Sequence, residues 1–355
     1  MLTQLNIEKL RIINQAEITF QPGFNLIVGN NGAGKTSLLE AVYLLSRGRS
    51  FRHRESGPLI QENHDSFQLV SRFIHDNHQQ HILGMFRSRS DLVVKFDGKP
   101  AVKRSEILSS FPVVLIGAEP QQLLVGGPEY RRNFIDNGMF HVEHNYLKVL
   151  QQYNRALEQR NASLKKGSSE LAIWNKPLQE AAHKIDAWRA NYSKKLVTLV
   201  QEYLDLWSLQ LTLDIAYSRG WSRDKSFSQS LSDVITTDRK QKFTSVGIHR
   251  ADLAIRSVRT KSGKRLSRGQ LKMLAAAFHF SQTQISISSG ASVPVLLFDD
   301  LPAELDEVNR SKLLDSINDL YPQSLLTVLS QKDIPLDGKL ATVFHVEHGD
   351  FTLAE

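Results

Sequence analysis

The sequence predicts an α/β fold interrupted by a mostly helical insertion. Three features predict it. Apolar strand-like runs lie at both ends of the chain, alternating segments fill 66–99, and the apolar spacing changes to three and four between about 128 and 239. At 355 residues the chain is long enough for one large domain and a smaller one.

Residues 2–20 read as a strand pair, with Leu5 and Ile7, then Ile18 and Phe20, alternating with polar neighbours before the Pro22-Gly23 turn. Phe24 to Val28 is a short apolar run suited to a buried central strand. A glycine-rich loop follows, then an apolar helix from Ser37 to Leu45. The stretch 66–99 forms an antiparallel meander with a hairpin signal at Asp97-Gly98, and Pro112 to Ile116 is another strand. Tyr146 to Leu157 and Leu178 to Leu206 carry helical apolar spacing, including Trp188, Leu199, Tyr203 and Leu206, around a Lys165–Ser169 loop. They predict a short antiparallel helical arm. Leu209 to Tyr217 alternates as a strand, and Phe227 to Ile235 is helical again. After 247 the pattern returns to α/β: a helix in 266–280, then strands at 293–298, 325–329 and 343–346. The expected division is a head made of 1–125 and 240–355, with a helical insertion at 126–239.

Composition excludes several functions. There is no cysteine, so disulfide scaffolds, thiolate zinc sites, iron–sulfur clusters and cysteine nucleophiles are ruled out. The N-terminal MLTQLNIEKLRIIN is too polar for a signal peptide, and no run reaches 18 apolar residues, so a cytoplasmic protein without a membrane partner is expected. A net charge of +7 permits a polyanionic partner without requiring one.

The strongest motif is Gly29-Asn30-Asn31-Gly32-Ala33-Gly34-Lys35-Thr36, a full G-x-x-x-x-G-K-[ST] placed between an apolar strand and a helix. Glycines let successive N–H groups converge on phosphate oxygens, and the helix start adds partial positive charge. Asn30 to Gly34 and Ser37 would line a triphosphate, Lys35 would reach its β- and γ-phosphates, and Thr36 would ligate Mg²⁺. It is not a GxGxxG dinucleotide loop.

The strand Pro294 to Phe298 ends in Asp299 and Asp300. Asp299 suits Mg²⁺ held through water, and Asp300 suits polarising an attacking water; in isolation the pair also fits a turn or a helix cap. Ser267, Gly269 and Gln270 open a helix, where they fit an anion or a plain N-cap equally well. Arg47, Arg49, Arg52 and Arg54, with His53, concentrate positive charge just past the first helix. Phosphate-backbone contact and a solvated basic turn both fit it. Arg131-Arg132 and the Arg256–Arg265 group are further basic clusters, some of which fit pairing with acids or lining the nucleotide site instead, and no aromatic–basic interleaving marks a single-strand stacking module. His75, His78 and His81 are spaced for zinc, but a solvated polar turn explains them better. Trp174, Trp188 and Trp207 fit packing between helices.

Together the phosphate loop, LSRGQ, LLFDD and AELD resemble the ABC-type ATPases, in particular their SMC-like branch. Over essentially the whole chain, NNGAGKTSLLEAVYLLSRGRSFR, GGPEYRRNFID and GIHRADL resemble the RecF family of bacterial recombination mediators. The resemblance implies an ABC/SMC-like P-loop ATPase head with an antiparallel β meander and an inserted helical domain. It implies ATP and Mg²⁺ as cofactors and a homodimer formed head to tail on ATP binding, with Ser267, Gly269 and Gln270 reading the partner's γ-phosphate. It also implies catalytic roles for Lys35, Asp299, Asp300 and Ser267, an approach of Arg11 to nucleotide, and a weak DNA-stimulated ATPase used as a switch. Double-stranded and gapped DNA and RecR-like and RecO-like mediator proteins are the implied partners, with recombinase loading at gaps as the implied role.

Three departures stand out. Ser330-Gln331 lies where transport ABC proteins carry a switch histidine, Gly117-Ala118-Glu119-Pro120 alters the order of the Pro-Glu loop, and Ile248 precedes His249 where proline is usual. His249 fits a loop contact or a structural role. The missing histidine and the basic patch argue against a transport subunit, and the helices are too short for a long SMC clamp.

Overall fold

The computed structural model describes all residues except 54, 56, 76–78, 101–103, 118–121, 168–170, 261–264, 337 and 355, and the side chains of 104, 105 and 256–260. Arg54, His78, Glu119, Lys261 and Lys264 therefore lie outside the described residues, as do the side chains of Arg256 and Arg259. The chain divides into two compact units, Met1–Pro120 with Ala291–Glu355, and Gln121–Gly290.

The N-terminal stretch contributes β1 (Leu2–Leu10), β2 (Ile13–Thr19), β3 (Gly23–Val28), α1 (Lys35–Arg47), β4 (Ser66–Ile74), β5 (Gln80–Ser88), β6 (Leu92–Phe96), β7 (Lys99–Pro100), α2 (Arg104–Ser110) and β8 (Val113–Ile116). The middle supplies α3 (Gln122–Val125), α4 (Pro128–Val142), α5 (Tyr146–Lys166), α6 (Leu171–Leu206), β9 (Leu211–Ser218), α7 (Phe227–Asp233), α8 (Ile235–Gln241), β10 (Asp252–Thr260) and α9 (Arg268–Ser288). The C-terminal stretch adds β11 (Val295–Phe298), α10 (Glu307–Leu320), β12 (Gln323–Val328), β13 (Ala341–Glu347) and β14 (Asp350–Leu353).

In the first unit, the alternating strands form an antiparallel sheet in the order β2-β1-β4-β5-β6-β7. β4, in the middle of this sheet, buries alternate residues, as the period of two requires, whereas β6 and β7 at one end of it have no buried position. The continuous apolar runs form the second sheet, β14-β13-β3-β12-β11-β8, parallel except for its terminal hairpin. β11 and β12 are buried at every position, which a parallel sheet covered on both faces demands. Leu38, Leu39 and Val42 of α1 share one apolar cluster with Leu5 of the first sheet and with Ile27 and Leu325 of the second. Gln323, buried in β12, clasps the backbone of Leu2 with its side-chain amide: the oxygen accepts the Leu2 N–H and the nitrogen donates to the Leu2 carbonyl, at 2.7 Å each.

In the second unit, α5 ends at Gly167, left-handed with φ 69°, and packs along α6 as the predicted helical hairpin. Proline at 177 sits inside α6, in its second turn. The predicted face of α6 is buried at Leu178, Ala182, Ile185, Tyr192 and Leu196, half-buried at Trp188, Leu199 and Tyr203, and departs from prediction at the C-terminal end. Tyr192, Leu196, Val200 and Leu204 are buried, whereas Leu206 is 67% exposed and Arg189 is buried beside Trp188. An apolar count misses Arg189. Its guanidinium binds both carboxylate oxygens of Asp136 (2.9 and 2.8 Å), the Tyr146 hydroxyl and the Ile248 carbonyl, so its burial leaves these donors paired. Trp207 packs edge-on against Phe280.

The observed division also corrects the expected boundary, which gave 240–290 to the head. β10 pairs antiparallel with β9, and α9 packs against α6, so this segment folds with the helices. Among the described residues no helix is long and apolar enough to cross a membrane.

Arg160 and Asp238 form an ion pair at 2.8 Å with both side chains fully buried, and Arg160 also donates to Thr244 and Asn175. Deleting one partner strands a charge in the interior. Asp238→Ala should destabilise this unit by about 3–5 kcal/mol, whereas Arg160→Met with Asp238→Leu should recover most of that loss. Tryptophan fluorescence during urea unfolding checks this, because all four tryptophans (174, 188, 207 and 221) lie in the second unit.

Candidate nucleotide site

β3 delivers the glycine-rich loop, and two glycines in it are required by geometry. A Cβ at Gly29 would sit 2.4 Å from the carbonyl oxygen of Val346, and Gly34 adopts φ 121°. The loop is braced from the C-terminal hairpin, where the Gly349 N–H donates to the Ala33 carbonyl at 2.8 Å. Asn30, Asn31 and Gly32 are exposed, whereas Ala33, Gly34 and Ser37 are buried. α1 starts without a side-chain cap, so no side chain satisfies its first N–H groups. This is the arrangement in which a helix start receives an anion.

Lys35 folds its ammonium back onto the loop, donating to the carbonyls of Gly29 (2.5 Å) and Asn30 (3.0 Å). Partial burial pulls its pKa below the usual lysine value, against the opposing pull of Asp300 and Asp299. Thr36 donates to the carboxylate of Asp299, with 3.1 and 3.2 Å to the two oxygens. Asp299 is buried at the end of β11, two strands from β3. Asp300 follows in a left-handed conformation, φ 54°, which costs on the order of 1 kcal/mol for a residue with a Cβ. Its N–H donates to the Thr327 hydroxyl at 2.7 Å.

Lys35, Thr36, Asp299 and Asp300 therefore come together within the first unit. An uncapped helix start, an ammonium, a hydroxyl and a buried carboxylate fit a triphosphate with its divalent cation. The loop and helix N–H groups and Lys35 would hold the phosphates, and Thr36 and Asp299 would hold the cation. A bound cation would neutralise phosphate charge as the terminal phosphoryl group departs. The chain's own part is to fix these donors in place and exclude bulk water from Asp299.

Other candidates have different surroundings. Arg11, left-handed at φ 53°, pairs its guanidinium with Glu40, which is fully buried in α1. Ser50 also donates to Glu40, and its hydroxyl accepts the N–H groups of Arg52 and His53 (2.9 and 3.0 Å). The basic turn is thus hung from the phosphate-loop helix. Arg49 and Arg52 are exposed on that turn. Arg47 is not available as a surface phosphate contact: it donates to the Val113 carbonyl at 3.0 Å, and burial lowers its pKa.

Ser267, Gly269 and Gln270 stand at the start of α9 in the second unit. The plain N-cap is realised there. Gln270 N–H donates to the Ser267 hydroxyl (3.2 Å), and the Gln270 side-chain oxygen accepts the Ser267 N–H (3.0 Å). His249 is structural. Its Nε2 donates to the Thr244 carbonyl (2.9 Å), which leaves Nδ1 to accept the Tyr153 hydroxyl (2.7 Å), and burial pushes its pKa down to about 4. Arg131 makes a bidentate pair with Asp252, and Arg132 donates to the Ala251 carbonyl, so this basic pair joins the GGPEYRR and HRAD tracts. His81 pairs with Asp97 at 2.7 Å, and His75 lies 3.2 Å from the Ser292 hydroxyl.

Sequence reasoning missed Glu40, Ser50 and Thr327. Two carried a usable signal: a lone acid inside LLEAVYLL and a lone hydroxyl inside LLTVL, each a polar group that an apolar element buries only with partners.

Comparison with known proteins identifies the fold and the family. Residues 1–352 match the family described as RecF/RecN/SMC N terminal domain. The DNA replication and repair protein RecF of Hydrogenovibrio crunogenus is 36% identical, with 98% of each chain covered, and that of Proteus mirabilis strain HI4320 is 34% identical at the same coverage. A solved structure of the recombination mediator protein RecF with ATP in the RecFOR pathway superposes with a TM-score of 0.86 at 27% identity, covering 100% of this chain and 97% of that one. An Smc head bound to the C-winged helix domain of ScpA shares the fold, with a TM-score of 0.58 at 17% identity over 99% of this chain and 97% of that one. The fold is that of an ABC/SMC-type ATPase head, and the chain belongs to the RecF/RecN/SMC N-terminal domain family, on its RecF branch.

Proposed function

We propose that this chain is an ATP-gated DNA-binding switch of recombinational repair. ATP and Mg²⁺ fill the Lys35–Thr36–Asp299 site, and two copies join head to tail, with Ser267, Gly269 and Gln270 of each reaching the γ-phosphate of the other. Asp300 orients the attacking water, and slow, DNA-stimulated hydrolysis releases the pair. Arg49 and Arg52 contact the phosphates of double-stranded and gapped DNA, with Arg54 as a further candidate. RecR-like and RecO-like mediators then help load recombinase at single-strand gaps. The observation that carries the nucleotide half is the Thr36–Asp299 contact beside an uncapped phosphate-loop helix. The DNA half is supported by exposed arginines on a turn tied through Ser50 to Glu40 of that same helix.

Gel filtration with ATP and Mg²⁺ tests the gating. The wild type should run as a dimer and Lys35→Met as a monomer that captures little nucleotide. Ser267→Asp keeps a capping oxygen, so it should bind ATP yet stay monomeric through repulsion of the γ-phosphate. An Asp variant that dimerises normally rules out the head-to-tail arrangement.

Duplex binding measured against salt tests the basic turn. Arg49→Ala with Arg52→Ala should flatten the slope of log affinity against log salt by about 2, roughly 0.9 per lost phosphate contact. An unchanged slope removes this turn from the DNA interface.

A further inference from the structure

Thr327 occupies a position in β12 where only its hydroxyl distinguishes it from the surrounding apolar residues. It is fully buried between Leu326 and Val328. The hydroxyl has one proton, which Thr327 donates to Asp299 Oδ1, at 2.8 Å. The backbone N–H of Asp300 can only donate, so the same hydroxyl accepts it, at 2.7 Å. The Thr327 carbonyl also takes the N–H of Leu301, at 3.4 Å. One residue of the neighbouring strand thus grips three successive residues beyond β11.

These contacts have directional consequences. The proton from Thr327 holds the Asp299 carboxylate in the rotamer that also receives Thr36, so two hydroxyls, one from the start of α1 and one from β12, share one carboxylate. The bond to Asp300 N–H holds that residue's left-handed backbone, which sets where its side chain leaves the turn. We propose that Thr327 is a positioning residue of the ATPase site, fixing the carboxylate of Asp299 for the cation and the backbone of Asp300 for the attacking water. This rests on the ATPase function proposed above. Fully buried, Thr327 acts through the two aspartates.

The test compares wild type with Thr327→Val, Thr327→Ala and Thr327→Ser, each first checked for a cooperative melting transition. Two quantities are read: ATP turnover at saturating Mg²⁺, and binding of a fluorescent, non-hydrolysable ATP analogue titrated with MgCl₂. Val and Ala should raise the Mg²⁺ concentration for half-maximal analogue binding by about tenfold and lower turnover by about tenfold or more, while analogue binding without Mg²⁺ stays at the wild-type level. Ser retains the hydroxyl and should return both quantities to within about threefold of wild type. Whichever of Val and Ala folds is sufficient for the comparison. The proposal is overturned if the folded variant keeps the wild-type Mg²⁺ midpoint and turnover, if Ser is as impaired as Val, or if analogue binding without Mg²⁺ falls equally. A wild-type chain that binds no analogue overturns the ATPase function and this proposal together; a wild type that turns over ATP beside an indifferent Val variant overturns this proposal alone.

Discussion

The contact between the Thr36 hydroxyl and the Asp299 carboxylate joins residues 263 positions apart, and the rest of the nucleotide site is arranged around it. It depends on the parallel pairing of β3 with β12 and of β12 with β11, which puts the ends of these strands on one edge of the sheet. In open parallel sheets that edge is where ligands bind. The loop after β3 supplies donors suited to anions, and the turn after β11 supplies carboxylates suited to a cation. Neither end of the chain builds the site alone, which is why the insertion between them has to leave the sheet register undisturbed.

Much of this was legible in the residues. The G-x-x-x-x-G-K-[ST] spacing fixed the loop, and the apolar run ending in Asp299 fixed its partner, because a buried strand and a charged exit carry opposite hydropathy at adjacent positions. The strands of the meander followed from a period of two, and the helical hairpin from spacing of three and four. Arg47 fell outside this reach: it looks exposed to a pattern of apolar positions, yet it is turned inward onto the carbonyl of Val113. Arg189, unmarked by that pattern, is likewise buried on Asp136, and Arg131 takes the pairing with an acid that its basic cluster left open. Long-range partners of this sort leave no local periodicity. The boundary at 240–290 was missed for the same reason: the pairing of β10 with β9 is a tertiary fact that composition does not carry.

The Ser267 segment illustrates how one local chemistry serves two ends. A serine and a glutamine three residues apart close a capping box, satisfying the N–H groups of Ser267 and Gln270 at the start of α9. The same hydroxyl and the same helix start are what a phosphate oxygen would seek. The cap uses the hydroxyl only as an acceptor, so its proton remains for a phosphate oxygen, while the N–H groups of Ser267 and Gln270 would be shared between cap and ligand.

The brace on the phosphate loop has a consequence for how the protein is made. The loop begins at residue 29, but the carbonyl of Val346 against which Gly29 is fitted, the Gly349 N–H that holds Ala33, and the strands that carry Asp299 and Thr327 all belong to the last part of the chain. On the ribosome these residues emerge well after the loop they line. A nascent chain accordingly holds its glycine-rich segment without its lining until Gly349 has been made, so the site is completed long after the segment that encodes the motif.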